Sequence, residues 1–148
     1  MITDGRTLVV AADGGRARLF EESRHGGPLT EHSEWLAGLA PRSFRNPGSG
    51  GVHDRMGHAI HGAATVTVGD KSARDFIGQL AARLARLVDE HDFDHVIVFA
   101  PPRALGVLRE ALPKALGQRP VLDQAHDRVD ADAEALRQAV RALRRDAP

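Results

Sequence analysis

The sequence predicts an α/β fold built on one mixed β-sheet: a three-strand meander followed by helix, strand, helix, strand and helix. Three observations lead there. Val96 to Ala100 is an unbroken apolar run, too short for a helix and rich in β-branched residues, which reads as a central strand buried on both faces. Pro101 and Pro102 end it by removing two amide donors, directly before a helical pattern of Leu105, Leu108 and Leu112. Thr7 to Ala12 is a second apolar run, closed by the turn signal Asp13-Gly14-Gly15 and answered by the roughly alternating Arg16-Ala17-Arg18-Leu19-Phe20, so the two form a hairpin.

The remaining elements follow in order. Gly26-Gly27-Pro28 marks a second turn, after which Leu29 to Leu36 is a polar, half-exposed third strand. From about 37 to 69 the chain loses any period and reads as a long flexible loop, rich in glycine and proline between Ala40 and Gly62, where Arg42, Arg45 and Arg55 against Asp54 leave it locally positive. Such a segment buries too little to order itself, so high mobility is expected in the free protein, with ordering only against a partner chain or polyanion. Ala64 to Val68 alternates briefly, as a short strand or an extended lead-in would. Asp70 can cap a helix whose Ala73, Phe76, Ile77, Leu80, Leu84, Leu87 and Val88 recur at helical spacing through His91. Pro113 should break the next helix near Leu112 or leave a short turn ending at Gly117. Pro120 to Asp123 is a short last strand, and Asp130 or Asp132 caps a terminal helix with Ala133, Leu136, Val140 and Leu143 as its apolar stripe and Arg144 and Arg145 in its last turn. A meander joined to βαβ units is the arrangement of ribonuclease-H-like domains.

Composition narrows the chemistry. The 148 residues suit a single domain, 1–148, able to bury roughly 70% of its unfolded surface without staples. With no cysteine there is no disulfide framework, thiolate nucleophile or cysteine-ligated zinc. No export signal opens the sequence, and no apolar run approaches the roughly 18 residues of a membrane span, so a cytoplasmic protein without membrane contact is expected. The 20 basic and 20 acidic residues cancel, so any affinity for nucleic acid must come from a local patch.

No residue earns a catalytic, cofactor or metal assignment. Two-metal nuclease chemistry needs converging carboxylates. Asp13 ends the first strand, Ala100-Pro101-Pro102 offers no acid, and Asp123 joins only if the last strand brings it to the same edge. Asp13 is better explained as holding its own turn. His53, His58 and His61 match no closed metal motif, and nucleophile-elbow and phosphate-loop signatures are missing. Arg103 stands just past the carboxyl end of a buried strand, where open α/β sheets place ligands.

Three stretches carry a resemblance: Val10 to Phe20, the loop with Pro41-Arg42-Ser43-Phe44 and Gly50-Gly51-Val52-His53, and Phe99 to Gly106. Together they resemble the bacterial host-attachment protein family, described as required for attachment to host cells and related to the middle domain of archaeal and eukaryotic peptide-chain release factors. The resemblance implies that fold, and a ribosome or RNA association through the basic loop. Release factors use Gly-Gly-Gln to position water; here Gly50-Gly51 is followed by Val52, which has no amide to offer. The expectation is therefore a non-enzymatic binding module with Asp13, Arg16, Arg18, Arg42, Arg45 and Arg103 as candidate ligand or RNA contacts. The competing readings are a metal-dependent nuclease or tRNA-directed esterase, and an adhesion or structural protein acting through self-association as a homo-oligomer.

Overall fold

The computed structural model describes residues 5–39, 62–117 and 119–146. Strands β1 (Thr7–Ala12), β2 (Ala17–Glu22) and β3 (Leu29–Glu31) form the meander, followed by a 3₁₀ turn at Ser33–Leu36. Helix α1 (Gly62–Glu90), strand β4 (His95–Ala100), helix α2 (Pro102–Leu116), strand β5 (Val121–Ala125) and helix α3 (Ala133–Asp146) complete the order. The sheet runs β3-β2-β1-β4-β5, antiparallel across the meander and parallel from β1 through β4 to β5. It is the mixed α/β sheet that the apolar runs and turn signals predict, but its middle strand is β1 and not Val96 to Ala100, which lies beside it as β4 between β1 and β5.

Period-two alternation divides β1 and β4 between two cores. Leu8, Val10, Ala12, Val96, Val98 and Ala100 face α1 and α2, meeting Ile77, Leu80 and Leu84 from one helix and Leu105, Leu108 and Leu112 from the other. Val9, Ala11, Ile97 and Phe99 face α3, which packs Leu136, Ala139 and Val140 against them. Leu136 and Val140 are fully buried, each stabilising the docked helix by about 1.5–3 kcal/mol. That two-sided burial is why β1 and β4 lack any polar residue past Thr7 and His95.

Several boundaries depart from the sequence reading. The third strand stops at Glu31 because His32 is taken by two carboxylates, Nε2 to Glu21 at 3.1 Å and Nδ1 to Glu34 at 2.8 Å. The turn that follows stacks Trp35 on His32 at 3.9 Å and sets it against His91 at 4.7 Å. Helix α1 starts at Gly62, so Ala64 to Val68 is helical rather than extended, Asp70 lies within the helix instead of capping it, and the loop closes before 69. A five-residue alternation cannot outweigh continuation of a helix already nucleated by the long apolar stripe behind it. Helix α2 runs through Pro113 to Leu116. One missing amide removes one intrahelical bond, and burial of Leu108, Leu112 and Leu116 holds the helix across it. Gly117, at φ 68°, ends it as expected. The last strand is shifted to Val121–Ala125, in parallel register with β4. The mobility expected of Ala40 to Gly62 falls, apart from Gly62 at the start of α1, outside the described residues, as do Arg42, Arg45, Arg55, His53, His58 and His61.

Ion pairs close the ends. Arg6 forks onto Glu21 (2.6 and 3.0 Å), donates to the His91 carbonyl and lies 4.8 Å over the Phe93 ring. Glu22, only 1% exposed, accepts Arg144 at 2.7 and 2.8 Å and the Gly26 amide at 3.0 Å, while Arg144 also reaches Thr7 Oγ1. This pins the last turn of α3 to the far ends of β1 and β2.

Candidate functional site

The chain leaves β1 and β4 in opposite directions. From Ala12 the Asp13 turn leads to β2 on one side; from Ala100 the Pro101-Pro102 step leads into α2 and on to β5 on the other. Diverging connections leave a crevice outside the carboxyl ends of two neighbouring parallel strands, the place where open α/β sheets receive ligands. A cleft of about 390 Å³ lies there, lined by Gly14, Ile77, Pro101, Arg103, Ala104 and Val107, with Ala73 and Arg74 on the α1 side.

Each wall has a local cause. Pro101, at φ −64° and ψ 160°, sits at the N-cap of α2 without a side-chain cap, and its carbonyl accepts the Leu105 amide at 2.8 Å. The amides of the first turn have no acceptor within the helix and give this end of α2 a positive field. Gly14 brings the turn against α1: a Cβ there would meet the Ala73 Cβ at 3.2 Å. Ile77 and Ala104, both buried, form the apolar floor, while Arg74 and Arg103 are exposed at the rim.

Asp13 serves the turn. Its Oδ1 accepts the Gly15 and Arg16 amides at 2.8 and 2.7 Å, and its Oδ2 accepts the Arg16 guanidinium at 3.0 and 3.1 Å. Arg16 also meets Asp130 at 3.1 Å. Its pKa is raised, by the Asp13 hydrogen bond first, against partial desolvation. Arg18 forks onto Glu31 at 2.9 and 3.0 Å, donates to the carbonyls of Val129 (3.0 Å) and Ala131 (2.6 Å), and lies 5.0 Å over the Phe20 ring. The same fork raises the Arg18 pKa and lowers that of Glu31. Arg16 and Arg18 thus tie the hairpin to the segment leading into α3. Of the four candidate contacts among the described residues, Arg103 lines the cleft and Asp13, Arg16 and Arg18 do not; Arg42 and Arg45 lie outside the described residues.

Asp123 does not join Asp13. It stands opposite Val98 in the sheet and is held by Arg109 on α2 at 2.7 and 3.1 Å. Among the described residues, no group of three or more histidine or acidic side chains could hold a metal ion, and no helix is long and apolar enough to cross a membrane. Sequence reading missed Arg74: its signal is its place one residue after Ala73 and one turn before Ile77 on the stripe of α1, but only the fold turns that stripe toward Arg103.

No curated protein matches this chain. A family model described as "protein required for attachment to host cells" matches residues 8–140, a span that takes in every strand but the first residue of β1, helices α1 and α2, the Asp13 turn, the crevice and the first part of α3. The chain belongs to that host-attachment family.

Proposed function

We propose that the protein is a non-enzymatic binding module whose crevice at the carboxyl ends of β1 and β4 takes an anionic ligand with an apolar portion. One observation carries this: two arginines, Arg74 and Arg103, rim a cleft floored by Ile77, Ala104 and Val107, and among the described residues no carboxylate or histidine lines it. Guanidiniums recognise phosphate and carboxylate oxygens through paired N–H donors, and the positive end of α2 adds to their attraction. The cleft volume falls in the range of small-molecule sites. The acids that an enzyme would need are committed elsewhere, Asp13 to its turn and Asp123 to Arg109.

A fluorescent naphthalene sulfonate, which carries one anion on an apolar ring system, tests the cleft. The expected result is saturable one-to-one binding to the folded protein, weakened about tenfold or more by Arg74→Ala/Arg103→Ala with an unchanged melting curve. Equal affinity in the variant would refute the assignment. The wider form of the proposal, a ribosome- or RNA-associated role, draws on the same arginines with Arg42 and Arg45. Sucrose-gradient fractionation of a lysate checks it: the protein should travel with ribosomes at low salt and leave them as salt rises. Recovery only in the ribosome-free fraction at low and moderate salt would refute that role.

A further inference from the structure

A second concave surface lies on the other side of the sheet, far from the crevice. Between the β2–β3 turn and the last two turns of α3 is a groove of about 550 Å³, lined by His25, Gly26, Arg137, Arg141, Arg144 and Arg145. Among the described residues, no acid and no Phe, Trp or Tyr lines it. Arg137, Arg141 and Arg145 recur every four residues and so stand on one face of α3.

Two of the four arginines build the groove and two are left over. Arg144 is fixed by Glu22 and Thr7, and Arg137 donates to the Gly26 carbonyl at 3.2 Å and meets Glu134 at 3.4 Å. The Gly26 amide returns to Glu22 at 3.0 Å, so turn and helix form one braced wall. Arg141 and Arg145 are exposed, and among the described residues no carboxylate pairs with either. This is unusual in a chain whose other guanidiniums largely find acids or carbonyls: Arg6, Arg16, Arg18, Arg83, Arg109 and Arg119 all do. Glu22 and Glu134 cancel Arg144 and Arg137, leaving about two positive charges on this face, contributed by Arg141 and Arg145.

We infer that this groove is a binding site for a chain of phosphates, an anion class that neither the family description nor the crevice assigns. Arg141 and Arg145 are about 6 Å apart along the helix axis, and Arg137 to Arg145 spans about 12 Å. That is longer than a single phosphate and suits neighbouring phosphates of one strand. Planar guanidiniums bind phosphate oxygens through two parallel N–H donors. Four arginines line the groove against a single ring able to stack a base, the exposed His25 imidazole, so the contact reads chiefly the backbone and not its sequence. Two sources share this chemistry, single-stranded nucleic acid and inorganic polyphosphate.

Fluorescence anisotropy of a short labelled oligouridylate with the full-length protein tests the inference, with inorganic polyphosphate and polyglutamate as competitors. Binding should weaken with salt, and Arg141→Ala/Arg145→Ala should reduce affinity about tenfold or more and flatten the slope of log K against log salt by about 1.4, for two contacts on a single strand. Both side chains are exposed, so the melting curve should not move. If oligouridylate does not bind, calorimetric titration with polyphosphate alone should show binding that Arg141→Ala/Arg145→Ala abolishes, which would assign the inorganic source; binding of oligouridylate that polyphosphate displaces would allow both, and binding of neither would overturn the inference. Displacement by polyglutamate as effectively as by polyphosphate would overturn the inference, since the groove would then take any acidic chain. An unchanged affinity in the double variant, or a loss with Arg74→Ala/Arg103→Ala instead, would also overturn it.

Discussion

Replacing Arg144 with methionine should be among the most damaging single changes on the surface of this protein, although Arg144 is a charged residue near the end of the last helix. Glu22 is 1% exposed. Arg144 supplies two of its hydrogen bonds, at 2.7 and 2.8 Å, and the Gly26 amide is left as the remaining donor. Arg144→Met keeps the aliphatic stem and removes the cation, leaving a buried carboxylate uncompensated. Breaking a buried pair from one side costs about 3–5 kcal/mol, which for a chain of this size lowers Tm by roughly 6–20 °C. The double variant Glu22→Leu/Arg144→Met removes both charges and should recover much of the loss, since apolar replacement of a whole buried pair is close to neutral. Arg144→Lys, which keeps the charge but not the fork, should fall between. Urea unfolding followed by Trp35 fluorescence measures this, because Trp35 is held between His32 and His91 and reports loss of tertiary packing; circular dichroism checks that the transition is two-state. A cost below about 1 kcal/mol for Arg144→Met, or a double variant no more stable than the single, would refute the reasoning.

Asp13→Ala should destabilise by about 2 kcal/mol, through two amides and a guanidinium losing their acceptor, whereas Asp13→Asn keeps an oxygen for the amides and should cost about 1 kcal/mol or less; chemical denaturation of the pair distinguishes this turn role from a catalytic one. Asp92 occupies the left-handed region at φ 55° where α1 ends, so Asp92→Gly should raise stability by about 1 kcal/mol by calorimetry. Gly14→Val should cost about 1–3 kcal/mol, because its first carbon already meets Ala73 at 3.2 Å. The Glu31 carboxyl is held below its ordinary value of 4.5 by the Arg18 hydrogen bond first. Its contribution is therefore complete above about pH 4.5 and disappears as pH falls through the lower folded value, and Glu31→Gln should flatten the acid limb of a Tm–pH profile there while leaving neutral pH behaviour nearly parallel.

Apolar runs made the strands legible, because a strand buried on both faces needs little more than hydrophobic residues of the right length. Val96 to Ala100 and Thr7 to Ala12 are of this kind, and the proline pair after the first fixes where α2 begins. Elements decided by distant partners were not legible. His32 leaves the third strand for Glu21 and Glu34, and Arg18 makes bonds to Val129 and Ala131 across more than a hundred residues. Nothing local distinguishes Arg18, spent on structure, from Arg103, which rims a cleft. The Arg137-Arg141-Arg145 row was visible as a four-residue spacing, yet reads as ordinary helix-end charge until the turn at Gly26 is seen to wall it in. The same holds for Arg74.

The parallel pairing of β1 with β4 has a consequence for synthesis. Arg6 and Asp94, joined at 3.0 Å beside that pairing, are 88 residues apart in the chain. At about 5–20 residues per second a ribosome needs several seconds or more to make the intervening stretch. During that interval the meander can zip by local contacts, but β1, apolar on both faces, remains an unpaired edge of the kind that recruits foreign strands. The middle of the finished sheet is thus the exposed flank of the nascent one. A holdase that shields Leu8 to Ala12 until His95 to Ala100 emerges would raise the yield of folded chains, and a slowly translated crossover would lower it.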